Sequence, residues 1–314
     1  MASRGPLLAP ISVASLVYVE RDILGGAKAN NPMNNSRPFV WYELMTTDID
    51  SARSFYSEVF GWAAEDASVH GMPYILFRDE HDSCSGAMWL SEGDRERGMT
   101  PNWVGYVGTR DVNTAVQRIQ DSGGQLYVPP TEIPNVSRFA VVTDSQMAQI
   151  GLLRWLLPQK EEWRERGPVG WHELFTEDPK QALEFYSAQF GWTAATAFEL
   201  DEIGTYQLFS VGGELVGAML RKVAPSPPFW LFYFLVDDAG AAAKMVEAAG
   251  GQLLDGPLAG PGSSWIVHCT DREGAMFALM GKGSGADFSD EVHAKWSSTW
   301  QGRSLGGKVR FVMR

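Results

Sequence analysis

Along the chain the spacing of apolar positions switches between two periods, and the switch recurs in a fixed order. "FVWYELMTT", from residue 39, is a short run of aromatic and β-branched side chains that ends in an aspartate, Asp48. After it, Ile49, Ala52, Phe55, Tyr56, Val59 and Phe60 fall at helical spacing. The pattern predicts a strand, then a helix whose first turn Asp48 caps. Gly61 supplies the stop, because a left-handed C-terminal residue is least costly as glycine. Strand-like runs follow, "YILFRD" and then "SGAMWL". The predicted unit is βαβββ.

The same unit returns. "VGWHELFTEDPKQALEFYSAQFGW", residues 169–192, matches residues 39–62 at an offset of 130, with Trp41/Trp171, Glu43/Glu173, Asp48/Asp178, Tyr56/Tyr186 and Gly61/Gly191 identical. Pro179 suits the first helical turn, where its missing N–H was unpaired anyway. "YQLFSV" and "LVGAML" then answer the first copy's later strands, and "AGGQL" answers "SGGQL" at an offset of 127. Each copy also contains a weaker echo of itself, "WVGYVGTRDVNTAVQRIQDSGG" and "WLFYFLVDDAGAAAKMVEAAGG". Four units therefore begin near residues 38, 102, 168 and 228. The expected division is an N-terminal extension (1–36), a first domain (37–157), a charged linker (158–167), a second domain (168–282) and a C-terminal extension (283–314), in which "KVRFVM" is a candidate edge strand. "EGDRERG" reads as a solvated loop.

A length of 314 residues agrees with two domains rather than one core. A net charge of −12 argues against a nucleic-acid backbone and against anionic membrane surfaces as partners. Only two cysteines occur, Cys84 and Cys269, so no disulfide framework is available, and a reducing, cytoplasmic setting is expected. No apolar run reaches the roughly 18–20 residues of a membrane span. The mildly apolar start lacks the basic region and cleavage pattern of a signal peptide. Twelve tryptophans suggest aromatic-lined interiors.

Four βαβββ units carrying a strand–Asp–helix "FYSxxFGW" signature resemble the vicinal oxygen chelate superfamily, which includes glyoxalase I, bleomycin-resistance proteins, fosfomycin-resistance enzymes and extradiol dioxygenases. Within it the chain is similar to tandem glyoxalase-like proteins. The resemblance covers residues 38–282. It implies an α+β fold in which the four βαβββ modules make two tandem domains, each a curved mixed sheet around a cleft with helices outside. Fold alone does not give the chemistry in such a group.

Strand alternation sorts the side chains between cleft and helices. Five residues before each capping aspartate stand Glu43, Tyr106, Glu173 and Tyr233. Odd distances share their face, which the resemblance assigns to the cleft, so Trp41, Trp171 and Phe175 accompany the glutamates. Tyr42 and His172 fall on the helix side. The resemblance also implies where metal-using relatives carry a histidine, seven before the aspartate, and a glutamate, four after the late turn. Those positions hold Trp41, Val104, Trp171 and Leu231, and Gly151 and Ala278, none of them a metal donor. No metal and no other cofactor is expected, and a divalent ion with relocated ligands is the alternative.

His172 reads as a buried or interface histidine beneath a helix; a ligand or base there would require a strand bulge. Glu43 and Glu173 read either as structural carboxylates paired inside the sheet or as ligand acceptors and bases, burial favouring the latter chemistry. Tyr106 and Tyr233 read as phenolic donors or as packing. His268 stands three before Asp271, a register that the resemblance to fosfomycin-resistance enzymes places on the cleft side, and the first copy has Val141 there. A histidine and a glutamate meeting in one cavity make an acid–base pair. His70, His81 and His293 sit isolated in polar stretches. The candidate catalytic residues are thus Glu173, His268 and Tyr233, all of the second cleft. Trp41, Glu43, Tyr106, Trp171, Phe175 and Trp230 are the candidate ligand contacts. The expected function is metal-independent binding of an apolar or aromatic small molecule by a monomer, an internal pseudo-dimer, or by a homodimer. The alternative is an isomerase, cyclase, lyase or dioxygenase that uses Glu173 and His268 as an acid–base pair or as relocated metal ligands.

Overall fold

The computed structural model describes residues 38–68, 73–79, 84–96, 99–156, 168–200, 204–222, 226–259 and 264–283. The linker at 158–167, the segments 1–36 and 284–314 with the candidate strand "KVRFVM", and His70, His81 and His293 lie outside the described residues.

The first half runs β1 (Trp41–Thr46), α1 (Ile49–Phe60), β2 (Ala63–Asp66), β3 (Tyr74–Arg78), β4 (Cys84–Trp89), α2 (Glu92–Glu96), β5 (Asn102–Gly108), α3 (Val112–Asp121), β6 (Leu126–Ile133), β7 (Ser137–Thr143) and β8 (Gln149–Trp155). The second runs β9 (Val169–Thr176), α4 (Pro179–Phe190), β10 (Thr193–Leu200), β11 (Gly204–Val211), β12 (Glu214–Arg221), β13 (Phe229–Asp238), α5 (Ala239–Ala248), β14 (Gln252–Ala259), β15 (Trp265–Thr270) and β16 (Met276–Lys282). Each half makes one eight-stranded mixed sheet, β2-β3-β4-β1-β5-β8-β7-β6 and β10-β11-β12-β9-β13-β16-β15-β14. The two modules of each half join through the antiparallel pairs β1–β5 and β9–β13.

Local chemistry explains the helix starts. Asp48, Asp111, Asp178 and Asp238 are all extended, and each accepts from a backbone N–H in the first turn of the helix that follows. Gly61 and Gly191 end α1 and α4 at φ 69° and 74°, a conformation that a side chain would strain. The charged "EGDRE" segment is not a loop but the short helix α2, opened by an Arg95 N–H bond to the Ser91 carbonyl at 3.1 Å.

The two sheets turn their helix-bearing faces toward each other. The helices lie outside each cleft, as expected, yet inside the molecule, where α1 packs beside α5 and α3 beside α4. One continuous core results: Phe55 and Tyr56 of α1, Ile119 of α3, Tyr186 of α4 and Val246 of α5 pack with Leu44, Leu174, Phe232 and Phe234 of the sheets.

Polar contacts across this layer are reciprocal. Tyr56 donates to Asp271 at 3.0 Å and accepts from the Trp103 indole at 3.0 Å. Tyr186 donates to Asp144 at 3.1 Å and accepts from the Trp230 indole at 2.9 Å. Each aspartate also accepts two backbone N–H groups of its own turn. Burial pushes the Asp144 and Asp271 carboxyls up, against the pull of those hydrogen bonds. Gln146 exchanges bonds with the Asp178 backbone at 2.8 and 2.9 Å. Its counterpart Glu273 accepts from the Thr46 and Thr47 hydroxyls and from the backbone N–H of Thr47 and Asp48.

Candidate functional site

In each half the face turned away from the helices carries a buried glutamate. Glu43 is 6 % exposed and is held by tyrosines from both sides of its strand. Tyr106 of the neighbouring strand β5 donates to Glu43 Oε2 at 2.7 Å. Tyr74 of β3, two strands away on the other side, donates to Oε1 at 3.0 Å. Their meeting at one carboxylate shows the concavity directly. Small residues make room for both rings: a Cβ on Gly86 would lie 1.9 Å from the Tyr74 hydroxyl, and one on Gly151 would lie 2.1 Å from the Tyr106 ring.

The second half repeats the arrangement more tightly. Tyr206 of β11 donates to Glu173 Oε1, and Tyr233 of β13 to Oε2, both at 2.5 Å. The Trp171 indole also points at Oε1, at 3.4 Å. Tyr233 sits opposite Ala278 on β16, as Tyr106 sits opposite Gly151 on β8. In both halves a phenol ring thus stands over the position where metal-using relatives carry a glutamate. Among the described residues, no three His, Cys, Asp or Glu side chains converge to hold an ion. The residues present do not fit the metal centre that the resemblance implies.

Electrostatics differ between the clefts. Burial raises the Glu43 carboxyl, with the Tyr106 and Tyr74 bonds pulling it back. Burial, with the neighbouring glutamates adding to it, holds Tyr106, Tyr206 and Tyr233 well above the ordinary phenol range, so all three remain protonated donors. Among the described residues, only the second cleft has an imidazole. His268 Nε2 lies 3.0 Å from the Tyr233 hydroxyl, and Nδ1 lies 4.0 Å from Asp255 Oδ2. Burial lowers the His268 pKa, while Glu173 and then Asp255 push it back up.

Four matched positions are more exposed in the second cleft. Val141, Tyr74, Met45 and Phe139 are buried in the first half, whereas His268, Tyr206, Phe175 and Ile266, their counterparts, are partly exposed. Near its mouth Phe175 and Phe229 stack at 4.8 Å with planes 5° apart.

Glu173, Tyr233, His268, Trp171 and Phe175 come together in this cleft, and Trp41, Glu43 and Tyr106 in the first, where Trp41 packs edge-on against Trp155. Trp230 does not join them. It stands eight residues before Asp238, an even distance, and its indole is buried in the layer between the sheets on Tyr186. Phe229, at nine, takes the cleft position. Sequence reasoning also missed Tyr74, Tyr206 and Asp255. The recurrence of tyrosine at the head of β3 and two residues into β11 was the available signal for the first two. His172 is a core residue, with Nδ1 bonded to the Val216 carbonyl at 2.9 Å and Nε2 to the Tyr42 hydroxyl at 2.7 Å. Cys269 points into the same core, away from the cleft.

A two-sheet molecule with a shared helix layer and two phenol-capped carboxylate clefts defines a duplicated α+β fold of tandem domains. Residues 39–151 and 169–279 both match the family model of the Glyoxalase/Bleomycin resistance protein/Dioxygenase superfamily, and the chain belongs to that family. It is 32 % identical over 246 residues to CFP32 of Mycobacterium tuberculosis, which carries a glyoxylase name; the match covers 76 % of this chain and 93 % of that one. It is 25 % identical over 255 residues to the anthracycline biosynthesis protein DauV of Streptomyces sp. strain C5, covering 76 % and 91 %. In fold it is similar to the 2,3-dioxygenase LapB of Pseudomonas sp. KL28, with TM-score 0.56 and 13 % identity over 82 % of this chain and 96 % of that one. No helix among the described residues is long and apolar enough to cross a membrane.

The first cleft offers a pH test. A carboxyl with a raised folded-state pKa contributes stability that is fully present below the unfolded pKa and is lost as pH rises through the folded value. Glu43→Gln retains a neutral group there, so its urea midpoint relative to wild type is expected to climb between pH 4 and pH 8. A variant that loses ground over that interval would show that Glu43 is stabilised as the anion.

Proposed function

We propose that the second cleft binds an apolar or aromatic small molecule carrying a carbonyl or phenolic oxygen, without a metal ion. The observation that carries this reading is the stacked, partly exposed Phe175–Phe229 pair above a polar floor of Tyr206, Tyr233 and His268. Flat rings at the mouth suit an aromatic guest, since such pairs gain about 0.5–1.5 kcal/mol beyond area burial. The convergent polar groups at the floor fix its orientation, as in pre-formed ligand sites generally. The relative named for anthracycline biosynthesis supports an aromatic guest; the dioxygenase titles bear on fold alone.

Titration with 2-tetralone, an aromatic ketone, is expected to quench tryptophan fluorescence in a saturable manner. Phe229→Ala should weaken binding by about 2- to 10-fold, the loss of one aromatic contact. Absence of saturable quenching in wild type, or equal affinity in Phe229→Ala, would sink the assignment. Elemental analysis of untagged protein tests the metal-free part. A stoichiometric transition metal that disappears in His268→Ala would overturn it.

A further inference from the structure

Two apolar cleft residues of the first half have polar counterparts in the second, and they are cross-strand partners. Val128 pairs with Val141 between β6 and β7; Asp255 pairs with His268 between β14 and β15. Both valines belong to the apolar lining of the first cleft, Val141 buried and Val128 partly so. Asp255 and His268 face the corresponding space, with side chains 37 % and 16 % exposed. One register position of the sheet has thus changed on both strands together, toward a charge pair.

The hydrogen-bond geometry fixes which imidazole nitrogen is protonated. The Tyr233 hydroxyl has a single hydrogen, and it lies along the 2.5 Å bond to Glu173 Oε2. Toward His268 Nε2, at 3.0 Å, the same oxygen can only accept. Nε2 therefore carries the hydrogen, and neutral His268 presents a lone pair at Nδ1. Among the described residues, the polar group recorded at that nitrogen is Asp255, at 4.0 Å, beyond hydrogen-bond reach. Among the described residues, Tyr233 from β13 and Ala278 from β16 also stand beside the ring, with Glu173 behind Tyr233 and Tyr206 beyond it. Glu173, Asp255, Tyr206 and Tyr233 are the titratable groups of this surround.

We propose that the second cleft is a proton-transfer site in which His268 Nδ1 is the general base, oriented by Tyr233 and Glu173, and Asp255 is the positioning residue that stabilises its protonated form. The substrate class is a carbonyl compound with a weakly acidic C–H beside the carbonyl, which is a deepening of the binding function proposed above and rests on it. In the step, the C–H bond breaks and its electron pair becomes the enolate, with the negative charge on the carbonyl oxygen. The proton bonds to Nδ1, giving an imidazolium between Asp255 and the Tyr233–Glu173 pair. Returning that proton to the oxygen, or to a second carbon, completes an isomerisation with no co-reactant. Burial keeps the resting imidazole neutral at pH 7, the form the base requires. The first cleft, with valine at both positions, lacks this base.

Exchange of the C1 hydrogens of 2-tetralone for deuterium, followed by proton NMR in 2H2O, tests the step, with fluorescence quenching as the separate readout of binding. Wild type should accelerate exchange. The Asp255→Val, His268→Val double variant installs the pair that the first cleft already tolerates. Compared at saturating ketone, with occupancy read from quenching, it should lose exchange by about 100-fold or more, the usual contribution of a general base. Asp255→Asn should move the pH midpoint of exchange to lower pH, a shift that a merely structural aspartate would not cause. The 15N shifts of His268 in the unliganded full chain should report the Nε2–H tautomer. Quenching without exchange in wild type, unchanged exchange in the double variant, or an Nδ1–H tautomer would each overturn the base assignment. Loss of quenching in wild type, with the Nε2–H tautomer present, would instead overturn the binding function and leave the His268 geometry standing.

Discussion

Tyr186→Phe is expected to cost on the order of 3 kcal/mol and to lower the thermal midpoint by about 8 °C, a large loss for deleting one oxygen atom. The hydroxyl serves two buried partners at once, accepting from Trp230 and donating to Asp144. Its removal strands an indole N–H and a carboxylate oxygen, and each unpaired buried group costs about 1–3 kcal/mol. Asp144 belongs to the other half of the chain, so the loss falls on the cohesion of the halves. Tyr56→Phe should behave alike through Trp103 and Asp271. Thermal melts of both variants, with Tyr127→Phe as an exposed control, check this. A shift no larger than the control's would mean that water reaches the layer between the sheets.

The second large effect concerns Gly151. A single methyl there would stand 2.1–2.5 Å from three ring atoms of Tyr106, and the ring is tethered by its 2.7 Å bond to Glu43. Gly151→Ala should therefore destabilise by about 1–3 kcal/mol through overpacking. Tyr106→Ala removes both the ring and the tether, and in that background the added methyl has room. A double-mutant cycle between the two should show a favourable coupling of about 2 kcal/mol. Additive losses would mean that Tyr106 can turn aside, and that the cleft floor is softer than its hydrogen bonds indicate.

Much of the fold is legible in the residues because the chain states it four times. The capping aspartates and the stop glycines Gly61 and Gly191 are local devices, and their partners lie within a helical turn. Alternation assigned Glu43, Glu173, Tyr106 and Tyr233 to one face because a strand's period is two. The same rule applied to Trp230 would have rejected it in favour of Phe229. Other features were less accessible to local rules. Asp255 follows an irregular stretch of β14, where register shifts on both sides of it break the parity count. Tyr74 and Tyr206 reach their glutamates from two strands away, a contact that depends on how far the sheet wraps rather than on sequence spacing. The union of the halves through Tyr56, Tyr186, Glu273 and Gln146 involves partners up to 227 residues apart, which only the packed layer brings together.

On the pseudo-two-fold axis of the molecule, Tyr42 meets His172 at 2.7 Å, each the other's counterpart in the repeat. Two identical subunits could not build that contact, since an isologous interface would place tyrosine against tyrosine or histidine against histidine. Covalent fusion of the two copies removes this restriction. A substitution in a symmetric dimer is written into both cavities at once, whereas here each cavity has its own codons. One can keep a tightly filled apolar interior that secures folding, while its sibling is free to trade packing for polar groups such as His268 and Asp255. The heterotypic pair at the centre is the trace of that broken symmetry: exchanging Tyr42 and His172 should preserve the contact, whereas making both positions alike should not.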